Sequence, residues 1–481
     1  MVIPFALQIA DALQGMNVDY GDVRVIHLQA QEITVANQIP EVVGGSETLG
    51  FGVRVLKGGA WGYAASATMD ASLIVPTVKR ALAVAEASAM VASERDPFQP
   101  PPVAQARFVT PCKIDPFDVP IEQKVTLLLA ATKIMQQTKQ VHLAKGFLDF
   151  HKERKVFVAT TGTQLDQEII QCGGGIVAYA TDGNDVQHRS YPSSFRGNFA
   201  TSGWEFIEAL GLVSHAEQIA DEARQLLAAP LCPAMETTLI LEGDQLALQV
   251  HESIGHPIEL DRIFGYEASY AGTSFLRPDM LSSFRYASEI VNVTADATVP
   301  GGLGTFGYDD EGTPAQRVPI IRDGILVGFL SSCSTAPRLG LASNGTMRAD
   351  GWQNFPLIRM TNVNLEPGEW DREALIADTK KGLLLQTNKS WSIDDQRVNF
   401  QFSTEVAREI HNGKLGRLYK NPVYTGITPQ FWNSCDAICS DAFAQLWGTP
   451  NCGKGEPPQT ARVGHRVAPA RFRHVRVWGA K

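Results

Sequence analysis

Hydrophobic and polar positions follow two different periods along this chain. Over the first 20 residues, Phe5, Ile9 and Leu13 recur near helical spacing and predict a short amphipathic helix. Asp22–Ala30, Glu32–Ile39, Thr48–Leu56 and Gly59–Ala64 are rich in β-branched residues and predict strands, with Lys57-Gly58-Gly59 as a turn between two of them. A helix is expected over Asp70–Met90, disturbed in its first half by Pro76. Prolines at 97, 100, 101, 102, 111, 116 and 120 then predict a stiff connector. Beyond it, Asp118 is placed to cap a helix reaching about Gln137, with Pro120 tolerated in the first turn. Strands are expected from Val141 to Ala180, broken at His151–Lys155 and Thr160–Thr163, followed by one strong helix from about Gly203 to Ala229. From Thr237 onward strand-like segments dominate, punctuated by turns at Asp309–Gly312, Arg322–Gly324 and Glu366–Gly368. The last segment, Arg471–Trp478, alternates in the manner of a terminal strand with one wet face; that reading is preferred to a basic patch. The pattern divides the chain into an α/β region over 1–230, made of two strand-and-helix units, and a β-rich domain over 231–481.

Composition narrows the class. A chain of 481 residues has room for two to four domains, and 44% hydrophobic with 19% charged residues is ordinary for a globular protein. The net charge of −9 argues against a general nucleic-acid binder. No apolar run is long enough to span a membrane. Met1–Asn17 holds no Lys or Arg, so no secretory signal is apparent, and a cytoplasmic location is expected. Seven scattered cysteines are then expected to be free thiols or metal ligands, not disulfides.

The sharpest local feature is His251-Glu252-Ser253-Ile254-Gly255-His256. Neutral imidazoles bind Zn²⁺, and a neighbouring carboxylate that is not a ligand can take a proton from water. The spacing is i, i+5, which places the histidines about 140° apart on a regular helix. Both reach one ion only if the helix carries a π-bulge or ends near His256, where Pro257 disfavours α geometry; Gly255 eases either distortion. A third ligand is needed. Glu259, Asp261 and Glu267 lie near the motif, and Cys452 lies in the glycine-rich Asn451–Gly455 segment with Lys454 beside it to favour a thiolate. These alternatives stay open on residue chemistry.

Other patterns carry less. Cys435-x-x-x-Cys439 fits metal spacing, but on a helix the pair would share an apolar face. Gly302–Gly307 matches G-x-G-x-x-G, yet an acidic turn follows it where a dinucleotide site needs a helix. Cys172–Gly175 precedes a strand and has no basic residue to hold a phosphate.

Around His251–His256 the chain resembles the TldD/PmbA family of metallopeptidases, and within it the catalytic TldD type. The resemblance extends to Gly304–Gly312 with Pro314–Arg317, to Ile321–Leu326, to Arg359–Asn362 and to Cys452-Gly453-Lys454; Gly50–Val55 and Trp61-Gly62 fit the family's first region. It implies a two-domain α+β architecture, with an α/β N-terminal region and a strand-rich C-terminal metal-binding domain. It also implies Zn²⁺ on His251, His256 and Cys452, Glu252 as general base, and substrate contacts from Arg359 and Asn362. The implied activity is hydrolysis of short or unfolded peptides in an enclosed dimer cavity, as a homodimer or a heterodimer with a motif-less companion. Pro257–Asp261 departs from the glycine-richer form of many members, and Cys435 and Cys439 are no part of the family pattern. Two rival readings are a peptide-binding maturation or chaperone subunit with structural zinc, and a metal hydrolase of small amides.

Overall fold

Four strands of 17 to 19 residues form the frame of the first half: Tyr20–Ala36, Ile39–Lys57, Val141–Ala159 and Gln164–Thr181. They belong to one eight-stranded sheet in the computed structural model, which describes residues 2–480. The two strand-and-helix units therefore share a single sheet: Tyr20–Ala36 pairs antiparallel with Val141–Ala159, from Asp22 opposite Ala159 to Ala36 opposite Lys145. Helices Val2–Gln14 and Ile74–Val91 cover one part of it, burying Ile9, Leu13 and Val78 against Val23 and Val53. Helices Ile121–Gln136 and Leu212–Ala228 cover another, around Leu128, Leu148 and Ile219.

Several expected breaks are absent, for identifiable reasons. Asn37 and Gln38, at φ 48° and 62°, make a tight two-residue hairpin, so the strand expected over Glu32–Ile39 ends at Ala36 and its partner begins at once. The polar run His151–Lys155 does not interrupt its strand because its charges are paired. Lys152 meets Asp115 at 2.6 Å, Arg154 meets Asp166 at 3.1 Å and Lys155 meets Asp310 at 2.7 Å. Conversely, the single helix expected over 203–229 is two, Trp204–Leu210 and Leu212–Ala228, separated by Gly211 in the left-handed region at φ 59°. Asp118 does not cap the next helix: Pro120 occupies that position without a side-chain bond.

In the second half, Lys381–Ile393, Met235–Leu241, Ala470–Gly479, Pro422–Ile427 and Asn399–His411 pair in that order. The first also pairs with the last, so the five strands close into a ring with no free edge. The terminal strand has the expected wet face at Arg473, His474 and Arg476, but Arg471 is buried, held with Arg473 by Asp436. Inside and beside the ring lies the largest core, which includes Leu239, Val250, Phe402, Tyr424, Trp432 and Phe472. A separate hairpin, Gln445–Lys454 with Gln459–Val467, stands next to it.

The halves meet through buried polar contacts. Arg54 pairs with Asp22 at 2.6 Å and Glu311 at 3.3 Å, all with side chains at most 1% exposed. Asp310 receives Lys155, and Gln167 bonds the backbone of Gly307 and Tyr308. Arg189 pairs with Glu405 at 2.7 Å. Among the described residues no helix is long and apolar enough to cross a membrane.

Candidate metal centre

The motif sits where a buried helix changes pitch. Helix Gly243–Val250, buried from Asp244 through Val250, runs into a π-helical turn over His251–Gly255, in which His256 N–H donates to the His251 carbonyl at 3.1 Å. The wider i→i+5 bonding lines up positions that a regular helix would splay apart. The two imidazoles lie 4.9 Å apart, nearly perpendicular. Gly255 is required by close packing: a Cβ there would stand 2.2 Å from Met360 Sδ.

Cys452 completes the group. It lies on the Gln445–Lys454 strand just after a register shift against Gln459–Val467. That bulge aims its sulfur at the histidines. Ligating atoms of His251, His256 and Cys452 all lie within 4.8 Å of one another, and Cys452 Sγ is 3.7 Å from His256 Nε2. All three residues are at most 4% exposed.

Hydrogen bonds fix which nitrogen each histidine presents. His465, fully buried, directs Nδ1 at the Val363 carbonyl at 2.9 Å. A carbonyl only accepts, so His465 Nδ1 carries the proton and its Nε2 is an acceptor. That Nε2 lies 2.8 Å from His251 Nδ1, which must therefore donate, leaving His251 Nε2 with a free lone pair. His256 Nδ1 likewise faces Glu259 Oε2 at 3.1 Å, leaving Nε2 free toward Cys452. Burial holds the His251 and His256 imidazoles below their ordinary range, and brings His465 down to about 3. All three are neutral at pH 7, the state metal binding needs. Burial alone would push the Cys452 thiol up; the groups facing it, the Arg359 guanidinium among them, outweigh that and bring it below its ordinary value.

Glu252 reaches into the same cavity without joining the ligand cluster. Its Oε2 accepts from Arg397 Nη1 at 2.7 Å. Arg397 comes from the turn linking two strands of the ring, at φ 64°, and that turn is held by Asp394 bonding the backbone of Val398 and Asn399. The cavity measures about 280 Å³. Besides these residues its wall includes Leu248 and the aromatic side chains of Phe195 and Trp391.

The remaining sequence candidates fall elsewhere. Glu259, Asp261 and Glu267 are gathered around Lys454, whose Nζ lies 3.3, 2.8 and 3.1 Å from them; Glu259 and Glu267 also pair with Arg262. Lys454 is thus turned away from Cys452, and the cation that favours the thiolate is Arg359, whose guanidinium bonds the Cys452 and Gln459 carbonyls. Neither Arg359 nor Asn362 lines the cavity. Asn362 is fully buried and pins the Gly302–Thr305 turn, accepting from Gly304 N–H at 2.9 Å and donating to Thr305 Oγ1 and the Asp296 carbonyl. These contacts engage the side chain within the framework. Cys435 and Cys439 are not on a helix: Cys435 opens the strand Cys435–Ile438, and the two thiols sit in different cores. Gly302–Gly307 is a packed turn, with Thr361 backbone 2.3 Å from where a Gly304 Cβ would lie. Among the described residues the His–His–Cys cluster is the single group of three or more His, Cys, Asp or Glu residues arranged to hold a metal.

Residues 234–477 match the profile of the PmbA/TldA metallopeptidase C-terminal domain, 21–89 match its domain 1 and 114–229 its central domain. Metalloprotease MJ0996 of Methanocaldococcus jannaschii is 29% identical over 423 residues, covering 88% of this chain and 90% of that protein. A zinc metalloprotease TldD homolog of Saccharolobus solfataricus is 27% identical over 209 residues, 43% of this chain and 45% of its own length. The crystal structure of TldE from Thermococcus kodakarensis superimposes with a TM-score of 0.70 at 16% identity, covering 99% of both chains, and so shares the fold.

Proposed function

Because the chain belongs to the PmbA/TldD family of metallopeptidases, we propose that it is a zinc-dependent peptidase in which His251, His256 and Cys452 hold the metal and Glu252 is the general base. The observation that carries this reading is one cavity holding three convergent ligand atoms and a separate carboxylate. The donor set fits zinc. Nitrogen at about 2.0–2.1 Å and thiolate sulfur at about 2.3 Å on a tetrahedral ion stand about 3.6 Å apart. The observed separation of His256 Nε2 and Cys452 Sγ is 3.7 Å. Three protein ligands are the number of a catalytic site; a closed structural site has four.

When bound, zinc supplies Lewis acidity that polarises a carbonyl and makes a water molecule more acidic. The chain's own residues do the rest. His465 and Glu259 keep the ligand histidines in the required tautomers. Glu252 takes a proton from the attacking water and returns it to the leaving amine. Arg397 sets the Glu252 rotamer by its 2.7 Å bond, and the buried wall behind the ligands limits bulk water. Substrates are short or unfolded peptides that can enter a cavity of this size. The test is Glu252→Gln: it keeps zinc stoichiometry and lowers peptide hydrolysis by on the order of 10²–10⁴-fold. Undiminished hydrolysis would remove Glu252 from the chemistry, and a wild-type protein that binds peptides without cutting them would place the chain among binding subunits.

A further inference from the structure

The cavity has two unlike walls. On one stand the ligands, Glu252 and Arg397. On the other, Phe195 and Trp391 meet edge to face with ring centroids 5.1 Å apart. Trp391 is 42% exposed, although it lies on a strand of the closed ring and pairs with Phe402. Its uncovered ring faces a cavity bordered also by Leu248.

Phe195 is the one residue of this wall contributed by the first half of the chain. It is delivered by a constrained loop: Phe195 and Arg196 take φ 57° and 73°, left-handed conformations that are unfavourable for bulky side chains. The loop is fixed from behind. Arg196 pairs with Glu32 at 2.6 Å and Asp149 at 3.4 Å, and its guanidinium lies 5.3 Å over the Phe147 ring. Gly197 packs so tightly that a Cβ would lie 1.8 Å from the Gly174 carbonyl oxygen. Backbone strain held in place by this many contacts, at a cavity wall, marks a residue whose position matters to a ligand.

We propose that Phe195 and Trp391 form the specificity subsite of the cavity, receiving a large apolar side chain, aromatic or branched aliphatic, from the residue beside the bond that is cut. This rests on the peptidase reading for the identity of the ligand as a peptide. A peptide bearing Phe at that position lays its ring against the Phe195–Trp391 pair, with Leu248 beside it; one bearing Ala leaves the wall wet. An acidic side chain there gains nothing from the rings and loses its hydration.

Two measurements on the full, zinc-loaded chain test this. The first is kcat/KM for fluorogenic peptides differing only in one residue, Phe, Leu, Ala or Asp, in wild type, Phe195→Ala, Trp391→Ala and the conservative Phe195→Leu. The second is the affinity of the Glu252→Gln protein for the same peptides, with and without Phe195→Ala. Wild type is expected to prefer Phe over Ala by about tenfold or more, the two alanine variants to lose most of that ratio at unchanged zinc content, and Phe195→Leu to keep part of it. Cleavage with no preference, or a preference that survives both alanine variants, overturns the subsite and leaves the peptidase reading intact. Selective binding without cleavage in wild type upholds the subsite and overturns the peptidase reading. No binding and no cleavage overturns both.

Discussion

His465 offers the most direct test of how the centre is built. It is no ligand, yet it alone determines that His251 presents Nε2. Replacing it with alanine removes the acceptor 2.8 Å from His251 Nδ1 and frees the ring to present either nitrogen. A net hydrogen bond contributes about 0.5–1.5 kcal/mol. Loss of the tautomer and orientation constraint adds to that, and outer-shell partners of metal-bound histidines are typically worth 10–100-fold in affinity, or about 1.4–2.7 kcal/mol. The same change leaves the Val363 carbonyl without its partner, which costs the metal-free fold a further ~1–3 kcal/mol. Competition against a chromophoric zinc chelator reads the first quantity, and urea unfolding of chelator-stripped protein reads the second. His465→Gln is the control. Its amide NH₂ can donate to Val363 while its oxygen accepts from His251, so it should recover most of the lost affinity. Unchanged zinc affinity in a folded His465→Ala protein would refute the tautomer argument. So would a glutamine variant as weak as the alanine one.

Three further outcomes are expected. Gly255→Ala drives a methyl toward Met360 Sδ and should cost about 1–3 kcal/mol of stability, measured by denaturant unfolding, with Met360→Ala in the same chain recovering part of it. Replacing Cys435 and Cys439 with alanine should leave zinc at one per chain by plasma mass spectrometry, since both thiols are buried in separate cores and burial pushes Cys439 up to about 12. Burial brings the Lys124 ammonium down to about 8. A folded-state value below the unfolded one destabilises the fold fully below pH 8 and progressively less as pH rises through the unfolded value near 10.4. The stability of Lys124→Met relative to wild type should therefore be highest below pH 8 and fall toward pH 10.5 in unfolding curves.

The π-turn was legible in the sequence because two histidines five apart, with glycine before the second and proline after it, leave few ways to converge. The third ligand was not legible from local chemistry. Three carboxylates lay closer in sequence than Cys452, but all three pair with Lys454, and Glu259 reaches only the Nδ1 of His256 that faces away from Cys452. That choice is made by strand pairing 196 residues downstream of His256, and the family resemblance alone pointed to it. His465 and Arg397 gave no signal: each is a single polar residue, one in a strand and one in a hairpin turn, and its role exists only through a tertiary contact. The run His151–Lys155 misled for a related reason. A stretch of five polar residues looks like a break until its partners on neighbouring elements are known. Phe195 belonged to a segment with no pattern at all.

The buried ion pairs between the halves bear on how such a protein can change over generations. Glu311 and Asp310 lie in the second half, and the cations that compensate them, Arg54 and Lys155, in the first, although Arg54 also keeps Asp22 in its own half. Grafting either half from a distant homolog would strand a charge in the interior unless its counterpart travelled with it, and an uncompensated buried charge costs about 3–5 kcal/mol. Recombination at the boundary near residue 230 is thereby penalised even though few secondary-structure elements are cut there. Exchange of one half is then coupled to whether Glu311 and Asp310 keep their cationic partners.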